Sequence, residues 1–151
     1  MPICQAQVDL GEPKVSRFDF YLHDLLVARK PTTVTVAKAN MINASPTLFG
    51  EIVVIDDPLT EGPELTSKVI GKAQGILFEA LNFVFTDGKF KGSTLTELGR
   101  NPVLHKVREL SIIGGSGAFR LAGGYVIKQT YSVDLTTQNV VVHYNVTVLH
   151  Y

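Results

Sequence analysis

Few residues in this 151-residue chain have both the type and the spacing for chemistry. Asp24 follows Phe18, Phe20 and Leu22 at alternate positions, so an inward-facing apolar set would carry its carboxylate inward as well. A carboxyl in an apolar cup holds its proton more tightly, which suits it to protonate a carbonyl or quinone-methide oxygen. On the parity of Gly71, Ala73, Gly75 and Leu77, Glu79 would be a second inward carboxylate. Phe119, Leu121, Gly123 and Tyr125 form a third alternating set that would add aromatic surface. Aromatics with a few polar groups suit a sugar or a phenol equally well. A strand-end or surface position accounts for Asp24 as readily as a ligand role does, and solvent exposure is the plainer reading of Glu79.

Other chemistries lack their residues. His23, His105, His143 and His150 are scattered without metal-ligand spacing, so no metal is expected. Gly114-Gly115-Ser116-Gly117 is followed by Ala118, which makes neither a nucleophile elbow nor a phosphate loop, and it reads as a hairpin turn. Cys4 stands alone, so an intrachain disulfide is impossible. Asn145-Val146-Thr147 matches a glycosylation sequon inside an apparent strand, where an ordinary strand asparagine is the simpler reading; Asn43-Ala44-Ser45, followed by Pro46, is a poorer acceptor still.

The bulk numbers narrow the function classes. Fourteen basic residues balance fourteen acidic ones, which argues against a nucleic-acid partner, and hydrophobic residues make up 45%. No apolar run reaches membrane-spanning length. The first ten residues lack a charged and then an apolar leader segment. With the lone cysteine, this leads us to expect a cytoplasmic protein, or an apoplastic one only as a processed mature chain.

The elements that must position these residues are strands. We read residues 1–14 as a lead-in, then strands over 17–26, 32–39 and 49–55, the last stopped by Asp56-Asp57-Pro58. Residues 67–85 read as one long strand, bent at a glycine. After a turn at Thr86-Asp87-Gly88-Lys89 come strands over 90–98, 106–113, 119–133 and 140–151, with the glycine-rich 114–117 turn closing a hairpin. Gly123-Gly124 would mark a bulge, a barrel corner or a close backbone approach. Eight strands with turn signals throughout suit a closed antiparallel barrel around one small ligand, in a single domain over 1–151.

Five segments, in order, resemble the plant dirigent family: F-Y-L-H-D-L-L at 20–26, F-G-E-I-V-V-I-D-D-P-L-T-E-G-P at 49–63, S-K-V-I-G-K-A-Q-G at 67–75, G-S-T-L at 92–95 and G-G-S-G-A-F-R-L-A-G-G-Y at 114–125. The resemblance implies an all-β, eight-stranded antiparallel barrel of the dirigent (allene-oxide-cyclase-like) type, no cofactor, and a homo-oligomer, a trimer by analogy. It also implies three cavity groups in catalytic members, falling here on Asp24, Ala118 and Gly123. Only Asp24 keeps a polar group, and Gly123 cannot supply the cation that would hold a developing phenolate. The cysteines typical of secreted members are missing. The chain is therefore expected to be a non-catalytic dirigent-like domain of a plant defence protein. Its ligand would be a carbohydrate, bound by Asp24, Phe20, Leu22, Glu79, Phe119, Leu121 and Tyr125. It most resembles the dirigent half of monocot dirigent–jacalin chimeric lectins, with a jacalin-type domain as the fused partner. The alternative is a dirigent protein that steers phenoxy-radical coupling or quinone-methide cyclisation, with Asp24 as its acid.

Overall fold

The computed structural model describes residues 9–40, 42, 45, 50–77 and 80–151. Nine strands follow one another: β1 (Lys14–Asp24), β2 (Thr33–Lys38), β3 (Glu51–Thr60), β4 (Val69–Ile76), β5 (Ala80–Phe85), β6 (Thr94–Leu98), β7 (Val107–Ser116), β8 (Gly123–Val133) and β9 (Val140–His150). Each pairs antiparallel in the order β1-β9-β8-β7-β6-β5-β4-β3-β2, and β1 also pairs with β3. That extra pairing closes eight strands into a ring, as the alternation predicts. β2 and β1 share one edge of β3: β2 takes it as far as Ile55, and β1 takes it at Leu59 and Thr60.

Three local readings change. The expected long strand over 67–85 is a hairpin, β4 and β5, with Ile76 opposite Ala80. Gly75 permits it with φ +148°, and a Cβ there would meet the Ala80 carbonyl oxygen at 2.2 Å. The third strand does not stop at Asp56-Asp57-Pro58 but runs through to Thr60. Pro58 sits where that edge of β3 passes from β2 to β1, the place in the strand where a missing N–H costs least. The glycine turn is also displaced. Gly114 and Gly115 lie inside β7 opposite Thr96 and Leu95, and the chain reverses later, through a 3₁₀ turn at Gly117–Phe119. Of the glycine pair, Gly124 marks a close backbone approach: a Cβ there would meet the Thr147 carbonyl oxygen at 2.1 Å.

Alternation fills the barrel in layers. Phe18, Phe85, Phe90 and Phe119 pack ring against ring with His150 and plug one end, with Phe90 and Phe119 centroids 4.8 Å apart. Above them Phe20, Phe83 and Tyr144 make the next layer, Phe20 stacked on Tyr144 at 5.4 Å. Burying so much aromatic surface holds the plugged end shut. The other end, where β1 finishes and β9 begins, keeps a cavity.

Candidate functional site

The cavity has a volume of about 280 Å³, enough for a small phenolic or similar molecule. Aliphatic side chains make most of its wall: Leu22, Leu77, Val103, Val133, Val140 and Val142. Asp24, Arg108, Lys128, Thr130, Asn101 and the Tyr144 phenol supply its polar atoms.

Asp24 arrives there because β1 alternates Phe20, Leu22, Asp24 on its inner side, the carboxyl taking the last inward position. It is 7% exposed, and burial pushes its pKa above the ordinary carboxylate value, an effect that the Thr33 hydroxyl, donating to Oδ1, only partly offsets. On β3 the same alternation runs Val53, Ile55, Asp57, Leu59. Asp57 is completely buried. Thr32 Oγ1 donates to its Oδ1 at 2.5 Å, Thr33 Oγ1 lies 3.4 Å from that oxygen, and Oδ2 has no partner among the described residues. Burial raises the Asp57 pKa to about 8, and the nearby Asp24 charge adds to the effect.

Two to four strands round the ring from β1, the wall is basic. Lys128 on β8 forms a buried ion pair with Glu97 on β6 at 2.5 Å, and its Nζ stands 5.2 Å from the Tyr144 ring centroid. Burial pushes Lys128 down and Glu97 up, each opposed by the other's charge. Arg108 on β7 donates to the Val103 carbonyl at 3.4 Å and to Thr130 Oγ1 at 3.1 Å, while its buried Nε has no partner among the described residues. Two cations against one carboxylate leave that wall net positive, and a guanidinium stays charged even when buried. The Tyr144 phenol, fully buried, has its pKa raised and stays neutral as a donor.

The sequence-predicted set divides. Asp24 and Leu22 line the cavity, and Phe20, fully buried, lies one layer below and supports Tyr144. Phe119 is buried but belongs to the plug at the opposite end. Leu121 and Tyr125 point outward, 65% and 44% exposed. The parity fails because Phe119 and Leu121 sit in the turn before β8, Leu121 with φ +59°, so the strand's inner face starts afresh with Val126 and Lys128. Glu79, like Cys4 and Asn43, lies outside the described residues. The reading missed Asp57, Glu97, Arg108 and Lys128. Their signal was present as single charged residues at inward positions of alternating strands: Val53, Ile55, Asp57, Leu59 on β3 and Val126, Lys128 on β8.

Ala118 and Gly123 do not stand where the resemblance implies cavity groups. Ala118 is an exposed residue of the 3₁₀ turn beyond the plug. Gly123 faces Leu149, an outward residue 46% exposed, so a side chain there would leave the barrel on its outer face. Neither position looks into this cavity, whose cations, Arg108 and Lys128, come from β7 and β8.

Comparison with known proteins follows the same direction. The family model described as dirigent-like protein matches residues 15–149. The chain is 47% identical to dirigent protein 21 of Arabidopsis thaliana, over 91% of this chain and 78% of that one. It is 44% identical to pterocarpan synthase 1 of Glycyrrhiza echinata, over 93% of this chain and 80% of that one. The solved structure of the pterocarpan synthase dirigent protein GePTS1 superposes with a TM-score of 0.85, at 44% identity, covering 95% of this chain and 89% of that one. These names overturn the expectation of a non-catalytic, carbohydrate-binding domain: the relatives are dirigent proteins and pterocarpan synthases, and the cavity is lined by a carboxyl and two cations. The reading as the dirigent half of a lectin chimera gains nothing from them.

Proposed function

The chain belongs to the dirigent family, and from that premise we propose that it directs the stereochemistry of ring closure on a phenolic quinone methide, as the name pterocarpan synthase implies for its relatives. The observation that supports this most directly is Asp24: a buried carboxyl on the wall of a largely apolar cavity, with its pKa raised by burial. Such a group keeps its proton to higher pH than an ordinary carboxyl and can give it to a leaving hydroxyl. A benzylic alcohol conjugated to a free phenol needs such an acid to lose its hydroxyl.

The step balances without a redox partner. Asp24 gives its proton to the benzylic hydroxyl, which leaves as water. The phenol conjugated with that carbon gives its own proton to solvent water as its electrons move into the ring, and the quinone methide forms. A second phenol of the same molecule attacks the exocyclic carbon, its proton returning to Asp24, and the first oxygen takes a proton back. Arg108 and Lys128 stabilise the oxygen on which negative charge develops; a fixed donor of this kind contributes about 2.7–4 kcal/mol. A carboxyl on one wall and cations on another give the substrate two anchors, so one face of the exocyclic carbon is presented to the attacking phenol.

The test is turnover of a racemic 7,2′-dihydroxyisoflavan-4-ol, which carries both phenols, followed by chiral chromatography. The expected result is ring-closed product enriched in one enantiomer, with Asp24→Asn slower by about 10²–10⁴-fold. Equal rates for Asp24→Asn and the unmodified protein would overturn the reading. Coniferyl alcohol with an added one-electron oxidant distinguishes the radical-coupling alternative: biased coupling without isoflavanol closure would favour it.

A further inference from the structure

We propose that Asp57 is a positioning residue that shares a proton with Asp24 through the Thr33 hydroxyl, so that the two buried carboxyls work as one acid. The inference rests on the assignment of Asp24 as the acid above.

The geometry is specific. Thr33 Oγ1 donates to Asp24 Oδ1 and stands 3.4 Å from Asp57 Oδ1. A hydroxyl has one proton to donate, so its approach to two carboxylate oxygens is satisfied fully only when one carboxyl is protonated and donates back. Thr32 cannot take this place: its hydroxyl accepts from the Leu25 N–H at 3.2 Å and donates to Asp57. That leaves Thr33 as the link, and it is itself buried. Among the described residues Asp57 has no cationic partner and its Oδ2 none at all, which an ionised carboxylate tolerates poorly and a protonated one tolerates better. Two carboxylates joined by one hydroxyl in an apolar wall resist carrying two charges, so the pair titrates as a unit.

The groups around the pair leave this intact. On β4 the residue opposite Asp57 is Ala73. Asp56, the next residue on β3, faces outward to Lys72 and Gln74. From β9 comes the neutral Tyr144, and the charges of Arg108, Lys128 and Glu97 stand on β7, β8 and β6. Chemically, Asp57 is a reserve. When Asp24 has given its proton to the leaving hydroxyl, Asp57 protonates Thr33 Oγ1 as Thr33 passes its own proton to Asp24. The proton released by the attacking phenol restores the pair.

The test is a carbon-13 titration of the aspartate carboxyls in the whole chain, unmodified and as Asp57→Asn and Thr33→Val, with turnover measured in parallel. In the unmodified protein the Asp24 carboxyl should titrate in two steps, the upper one at the pH where Asp57 titrates. In Asp57→Asn it should show one step, at least one pH unit lower, and the fall in turnover at high pH should move down with it while KM stays within twofold. Thr33→Val, which keeps the shape and removes the hydroxyl, should lower turnover without abolishing the double step. A single Asp24 step unchanged by Asp57→Asn would overturn the proposal. So would turnover of Asp57→Asn with the unmodified pH profile. A coupled titration in a protein that closes no ring would count against the proposed function and leave the shared proton standing.

Discussion

At the scale of single residues, the molecule places ionisable groups where burial changes what they do. Asp57 has a stability consequence separate from its chemistry. Its pKa of about 8 stands above the ordinary value of 3.8, so the folded chain holds this proton more tightly than the unfolded one. Stability therefore falls as pH rises from about 4 to about 8, and the loss is complete above that. The slope for one such group reaches about 1.4 kcal/mol per pH unit. Asp57→Asn carries no titrating group, so its stability should fall less steeply over the same window. Urea midpoints at pH 5 and pH 8.5 measure this. The difference between the two midpoints decides the matter, because any fixed cost of seating the amide beside Thr32 cancels. Equal differences in the two proteins would refute the assignment of a protonated, buried Asp57.

At the scale of the element, strands position these groups, and turns decide which way strands face. Asp24, Phe20 and Leu22 were legible because they follow Phe18 at alternate positions of β1 with no turn residue between them, although His23 near its end is buried too. Asp57 was not, because Asp-Asp-Pro has the composition of a stop, and only the ring geometry shows that the edge at Pro58 changes partner. Lys128 was lost to a phase error: counting from Phe119 crosses a turn residue with positive φ, and alternation does not survive such a residue. The β4–β5 hairpin was missed because Leu77-Phe78-Glu79 contains none of the residues that usually mark a turn. Its permission comes from Gly75 just before it. That position makes a prediction of its own. With φ +148° and a Cβ only 2.2 Å from the Ala80 carbonyl oxygen, Gly75→Ala must displace backbone and not merely a side chain. The expected loss is about 3 kcal/mol, at the upper end of ordinary substitutions. Gly88→Ala is the comparison, since its Cβ meets nothing within 4 Å although its φ is +72°. A denaturant midpoint for Gly75→Ala as high as that of Gly88→Ala would show that the hairpin relaxes without cost.

At the scale of the whole molecule, the barrel is closed unevenly. β1 pairs with β9 along its whole length, from Lys14 opposite His150 to Asp24 opposite Val140, and β8 follows β9 almost as far. The seam between β1 and β3 has only Tyr21 opposite Thr60 and Leu22 opposite Leu59, reinforced by His23 Nε2 and Thr60 Oγ1 at 2.7 Å. Thr33, Asp24 and Asp57 all lie beside that seam, so the acid end of the cavity is bounded by the weakest pairing in the ring, whereas the opposite end is held by the aromatic plug. Local opening follows the number of interactions that must break together, so it should begin at the seam. Amide hydrogen exchange should then be fastest, among strand residues, in β2 and at Leu59 and Thr60. It should be slower by about tenfold or more at the centre of β9, from Val142 to Val148. Thr60→Val removes the hydroxyl bonded to His23 and should speed exchange at the seam while leaving β9 unchanged. Uniform exchange around the ring, or faster exchange at the plugged end, would mean that closure does not depend on the β1–β3 pairing.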